Sequence, residues 1–411
     1  MIRYELKKIF GTTGGKIALI LYLATVILSC FLSISGFMTV DVTWTNEQGE
    51  QEYGFHAVQK LRESRNDWEG WLDEELLNRV IQENLRINAT PEGQSSDIRQ
   101  SNIAYGWKQG FSPIRDLINR SYSDGFRIYD YYKADEISVI REDTFYENRI
   151  RQLREWLYDK NDAALDLYSE EEKQYLIGQY EKLETPFYVD YHDGWYQLLE
   201  NASFLPMLGI LITAYMTAGI FSNEFKWKTD AVYFTTLFGK NKATSAKIQA
   251  GFCLVSILYW ISMLIYSAVT LGYLGFEGAG CVVQLRAWKS IYNITMWQAW
   301  VLTLICGYIG SLFLTALTMF ISAKTRSSVI AVTTPFVILF LPSILQGMSD
   351  WLDMVLSLMP VNLLEFYQHL RTFQLITVFG RVYRVLDVCI PLYAVLTLVL
   401  VPIIYRQFRK N

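Results

Sequence analysis

Gly11-Thr12-Thr13-Gly14-Gly15-Lys16 gathers the residue types of a phosphate-cradling loop, with glycines that let backbone N–H groups approach an anion, two hydroxyls and a lysine. The spacing is wrong for that chemistry. A P-loop keeps four residues between its glycines and a Ser or Thr after the lysine, whereas here three residues separate Gly11 from Gly15 and Ile17 follows Lys16. The segment reads instead as a helix break before a membrane-flanking lysine, so the chain carries no means of its own to bind and hydrolyse ATP. The only histidines, His56, His192 and His369, lack the pairing of an H-E-x-x-H site, and no metal or cofactor is expected on this chain. There is no G-x-S-x-G elbow, His192-Asp193 reads as surface turn chemistry, and no catalytic residue is assigned.

The elements around these residues are dominated by long uncharged blocks. Ile17 to Met38 supplies 22 apolar or small residues, about 33 Å as a helix against a hydrocarbon core of about 30 Å. Ala202–Ser222, Ile248–Phe276, Trp297–Ser322, Ser327–Gly347 and Val388–Tyr405 are likewise free of Asp, Glu, Lys and Arg. A charge at a helix centre costs roughly 2.5–3.5 kcal/mol on insertion scales, so these stretches predict an all-α polytopic membrane protein with six transmembrane helices. With no acid inside any span, proton-coupled transport loses its usual marker.

Basic residues near span ends mark the cytoplasmic side. Placing the N-terminus inside collects 14 basic and three acidic residues in the cytoplasmic segments, while segment 41–200 holds 18 basic and 33 acidic ones. The formal net charge of −4 hides that asymmetry. Both termini are therefore expected in the cytoplasm, and the lack of any cysteine in 41–200 suits a bacterial plasma membrane. Arg3, Lys7, Lys8, Lys240, Lys242 and Lys247 are expected to anchor at the lipid headgroups, and no nucleic-acid partner is indicated.

Residues 1–16 should form an amphipathic elbow along the inner leaflet, with 17–40 the first span. The insert 41–200 is expected to be an independent, mostly helical extracellular domain. Leu72, Leu76 and Val80, and Leu77, Ile81 and Leu85, recur every four residues, as do Tyr146, Ile150, Leu153 and Leu157. Ser169-Glu170-Glu171-Glu172 predicts a capping box. The insert's tryptophans, Trp44, Trp68, Trp71, Trp107, Trp156 and Trp195, suit either a core or a binding surface. In the remaining membrane part, 201–411, residues 350–387 read as an outer-leaflet cap, with a short helix over Trp351–Met359 and a strand pair around Gly380.

The link 223–247 carries Glu224 at the end of one span, then Lys228-Thr229-Asp230-Ala231-Val232-Tyr233-Phe234-Thr235-Thr236-Leu237, a basic turn Gly239-Lys240-Asn241-Lys242, and Lys247 opening the next span. On residues alone, Glu224 is a solvated carboxylate near Lys226 or Lys228. The stretch resembles that of the ABC-2-type export permeases, in which a Glu at the inner end of the second span precedes a small helix, a basic turn and a Lys. The resemblance extends to the basic start Arg3-Tyr4-Glu5-Leu6-Lys7-Lys8, the six spans and Met359-Pro360, although Phe238-Gly239-Lys240-Asn241-Lys242 lacks the family's proline and arginine. It implies a permease dimer of two copies or paralogues, with ATP and Mg on a separate ABC ATPase subunit, and export of a peptide or lipid-like amphiphile. It also implies that Glu224, Lys228, Val232, Phe234 and Leu237 couple the spans to that ATPase. The alternative is a membrane-anchored sensor or surface-binding protein using 41–200 to capture a ligand, but one or two spans would suffice for it and no output domain is present.

Overall fold

In the computed structural model, the described residues are 1–35, 42–160, 162, 164–236 and 238–409, with the side chains of Ala164, Asp166, Lys240 and Asp350 excluded. Leu237 and the last residues of the expected first span thus lie outside the described residues. Among the described residues six helices are long and apolar enough to cross a membrane. The chain is an all-α, multi-pass membrane protein.

An entry helix, Ile2–Gly11, turns at Thr12 into the first span, Thr13–Ile34, where the Thr12 hydroxyl accepts the Gly15 N–H at 3.0 Å. That contact satisfies one of the orphan donors of a helix start and fixes the turn. The other spans are Phe204–Lys226, Thr244–Leu274, Met296–Thr325, Ser328–Leu345 and Val385–Arg409. The fourth span lies at the centre, packed against the second, third, fifth and sixth. Since apolar faces gain little from leaving lipid, close approach and polar ties must hold such a bundle. A Cβ on Gly307 would sit 2.6 Å from the Tyr259 hydroxyl, which donates to the Leu304 carbonyl at 2.7 Å. Tyr22 meets Ser262 at 3.0 Å and Ser33 meets Tyr266 at 2.8 Å, joining the first span to the third. The fifth span spans only 18 residues and contains Pro335 and Pro342, each removing a helix donor.

The insert is mostly helical, as its stripes predict. Helix Glu74–Asn88 buries Leu76, Leu77, Val80 and Ile81, with Leu72 buried just ahead of it. Helix Glu142–Leu157 buries Leu153 and Leu157. Ser169 and Glu172 form a reciprocal capping box that opens Glu170–Glu181. Two ribbons pair Trp44–Thr45 with Gln51–Glu52 and Gly70–Trp71 with Tyr188–Val189. The cap contains helix Asp350–Ser357 and a hairpin, Leu375–Val378 with Arg381–Arg384, turning at Phe379 and Gly380. The helix and the strand pair both form, the helix ending at Ser357 rather than the expected Met359.

Two expectations for the insert are corrected. It shares one core with the rest of the chain: that core runs without a break into the loop between the third and fourth spans and into neighbouring spans, from Leu77 and Phe145 to Trp288, Tyr266 and Tyr393. Arg149 donates to the carbonyls of Trp288 and Ser290, and Tyr180 to that of Lys289. His192-Asp193 is not a surface turn. Both residues are buried, and Asp193 pairs with Arg65 of the insert and Arg286 of the loop. Helix Asp193–Glu200 leads almost directly into the second span, so insert and membrane body share that junction.

Candidate functional site at the terminal face

The face opposite the insert carries the entry helix, the end of the sixth span and the link between the second and third spans. Helical spacing puts Glu5 and Lys8 on one side of the entry helix, where their side chains meet at 3.2 Å. Glu224 occupies the last turn of the second span and Lys247 the first turn of the third. Each therefore stands at the helix end whose dipole disfavours its charge. They compensate each other rather than their helices. Lys247 Nζ donates to Glu224 Oε1 at 2.8 Å, to Glu5 Oε2 at 3.1 Å and to the Ile220 carbonyl at 3.0 Å. Lys8 reaches Glu224 Oε1 at 3.4 Å, and the Thr229 hydroxyl donates to Glu224 Oε2 at 2.7 Å.

Two ammonium groups and two carboxylates thus tie three chain segments into one cluster. Burial alone pulls the Lys8 ammonium down, but Glu5 and Glu224 more than offset it and hold the group above the usual lysine range. Beside the cluster lies a cavity of about 410 Å³, lined by these four residues and by Asn223, Trp227 and the fifth-span residues Val329 and Val332. Among the described residues no group of three His, Cys, Asp or Glu could hold a metal. What the cluster does is tie the entry helix to the ends of the second and third spans.

From this cluster hangs a short helix, Asp230–Thr235. It is shorter than the expected Lys228–Leu237, because Lys228 takes a left-handed φ of 56° and Thr236 is extended. The expected single apolar side is split. Phe234 turns inward to Phe408 at 5.2 Å and Phe225 at 6.3 Å, and Tyr233 also packs on Phe408 at 5.6 Å. Ala231 and Lys228 are exposed, and Val232 is 66% exposed. Thr236 is followed by Leu237, outside the described residues, and then by a π-helical turn, Gly239–Ala243, that includes Lys240.

The expected anchors also divide. Arg3, Lys7 and Lys242 are exposed, Lys242 lying 4.8 Å from the Phe238 ring. Lys247 is no surface anchor, since its side chain is only 2% exposed and its charge is spent on the two carboxylates. Glu224 is likewise buried rather than solvated, and its cations are Lys247 and Lys8 rather than Lys226 or Lys228. Glu5 and Thr229 belong to the site without having been singled out from sequence. A lone acid in the otherwise basic Arg3–Lys8 run was the available signal for Glu5. No family model, curated protein or solved structure matches the chain.

Proposed function

We propose that this chain is the membrane-spanning permease subunit of an ABC exporter, moving a peptide or lipid-like amphiphile outward with ATP and Mg handled by a separate ATPase subunit. The observation that carries the reading is the short helix Asp230–Thr235, held by Phe234 on Phe408 and joined through Thr229 to the Glu224 cluster, with Val232 left facing solvent. A push on this helix reaches the second span, the third span and the entry helix together. A six-residue helix cannot sustain itself in water, and its anchoring on one side with an apolar residue free on the other suits docking to a partner protein. Two sets of six spans, from two copies or from a paralogue, then enclose the path. The apolar side chains left exposed on the fifth span, such as Val329, Phe336 and Ile344, face lipid or that second subunit.

The test is purification of the tagged chain from its native membrane, with identification of a copurifying P-loop ATPase. Val232→Asp is expected to weaken ATPase association by about tenfold or more, since interface anchors are worth well over 1 kcal/mol. Because Val232 touches solvent, its abundance and thermal midpoint should stay those of the wild type. If no ATPase accompanies the wild type, or if the Val232→Asp chain retains it at full strength, the short helix is not the coupling element.

The proposed orientation has its own measurement. Lys160 and Lys242 are both exposed, and the native cysteines are buried except for the half-buried Cys253 in the third span. In intact cells an impermeant maleimide is expected to label Lys160→Cys and to label Lys242→Cys only after permeabilisation. The opposite pattern puts the short helix outside the cell, where no ATP-hydrolysing partner could reach it.

A further inference from the structure

Two buried or half-buried cations, Arg149 of the insert and Lys289 of the loop between the third and fourth spans, have no acidic partner among the described residues and line the same cavity. Arg149 is 4% exposed, and its Nε and one amino group donate to the carbonyls of Trp288 at 2.8 Å and Ser290 at 2.7 Å. Its guanidinium lies 3.6 Å from the centre of the Tyr180 ring. No carboxylate pairs with it, and its other amino group, Nη1, has no hydrogen-bond partner among the described residues. Lys289, half-buried, rests its Nζ 4.6 Å from the Phe126 ring and likewise has no ion pair among the described residues. Arg120 closes the rim, already bound to Asp116 at 2.7 Å.

The carbonyls and the Tyr180 ring face stabilise the Arg149 cation but carry no opposite formal charge, so the buried positive charge stays unneutralised. Acids are not scarce, since segment 41–200 has 33 of them against 18 basic residues, yet none stands opposite Arg149 or Lys289. The lining of Phe126, Tyr129, Tyr180 and Trp288 keeps the local dielectric low, which strengthens attraction for any anion that enters. Burial, with Arg120 and Arg127 nearby, pulls the Lys289 ammonium below its usual range, the direction expected when positive charges crowd together without a counter-charge. The enclosed space is about 20 Å³, enough for one water-sized group. A phosphate ester or nucleotide does not fit.

We infer that this cavity is a site for a compact monovalent anion of the halide class, held between Arg149 and Lys289 with Arg120 at its rim. Arg149 belongs to the insert, whereas Lys289 belongs to the loop between the third and fourth spans. The anion therefore cements the insert to the membrane body.

The experiment follows the thermal midpoint of the purified full chain in detergent, with sodium gluconate as background and chloride or acetate exchanged in at constant ionic strength. Gluconate is too large for the cavity. A saturable rise in midpoint with chloride is expected, while acetate, with four heavy atoms, should leave the midpoint at its gluconate value. Lys289→Gln should weaken the apparent affinity by about tenfold or more, as for loss of one charge-assisted hydrogen bond, while Lys289→Arg should keep the response. Equal midpoints for the wild type in all three salts overturn the proposal, as does a Lys289→Gln chain that responds like the wild type. Should Lys289→Gln fail to fold, the wild-type salt series with Lys289→Arg decides alone.

Discussion

Replacing Lys247 with methionine is expected to destabilise the membrane body by about 3–5 kcal/mol, the usual result of removing one partner from a buried ion pair. Methionine keeps the length and most of the volume, so packing is largely retained and the charge is what is lost. Glu5 and Glu224 would then face each other with only Lys8 between them, at 3.2 and 3.4 Å, and the Ile220 carbonyl would lose its donor. Lys8 compensates poorly because its side chain is 53% exposed and its attraction is screened by water. Reversible unfolding in mixed micelles measures the effect. Adding Glu224→Gln to Lys247→Met should recover part of the loss, since the second change removes the charge that the first one stranded. Additive effects, or a single-variant change below about 0.5 kcal/mol, would mean that the cluster behaves as a solvated surface pair.

Asp193→Asn should cost a comparable amount, again about 3–5 kcal/mol, but at the junction with the insert. The Asp193 carboxylate is fully buried between Arg65, 8% exposed, and Arg286, 14% exposed. Asparagine preserves the shape while removing the negative charge that both guanidinium groups face. Arg286 still reaches His192 Nε2 at 3.1 Å, a neutral acceptor that cannot replace a carboxylate. The insert should then be cut by protease near the Asp193–Glu200 helix at a rate well above wild type, before the spans unfold. Glu155→Ala serves as control, because the Arg151–Glu155 pair is 57% exposed on both sides and should contribute almost nothing. If Asp193→Asn resists protease as well as that control does, the junction does not depend on its buried charge.

Features that depend on neighbours along the chain were legible from the residues. The spans follow from uninterrupted apolar sequence, the Ser169 capping box from four consecutive residues, and the cap hairpin from Gly380 between two alternating runs. Features that depend on distant partners were not. Lys247 finds Glu5 242 residues away, and counting basic residues near span ends treats every lysine as solvated. Asp193 finds Arg65 and Arg286 on opposite sides of it in the chain, so the dipeptide His192-Asp193 gives no hint of burial. Phe234 and Val232 part company because Phe408, close to the C-terminus, covers one and not the other. Helical periodicity could propose an apolar side but could not know that the chain's own end would occupy part of it. The insert's continuity with the membrane body was hidden for the same reason, since its closing residues Trp288, Ser290 and Tyr292 lie beyond two spans.

That order of residues matters while the chain is being made. The insert is complete as a polypeptide once Glu200 has been synthesised, yet the carbonyls that Arg149 and Tyr180 require belong to residues 288–290. At about 5–20 residues per second, ribosomal elongation imposes a delay of roughly 5–20 seconds between the two. Throughout that interval Phe145, Phe187 and Tyr180 lack the Trp288 side of their core. The nascent insert is therefore most exposed to chaperones, proteases and wrong partners just before the loop arrives. Substitutions that slow emergence of the third and fourth spans should lower the yield of the protein even where the finished fold tolerates them.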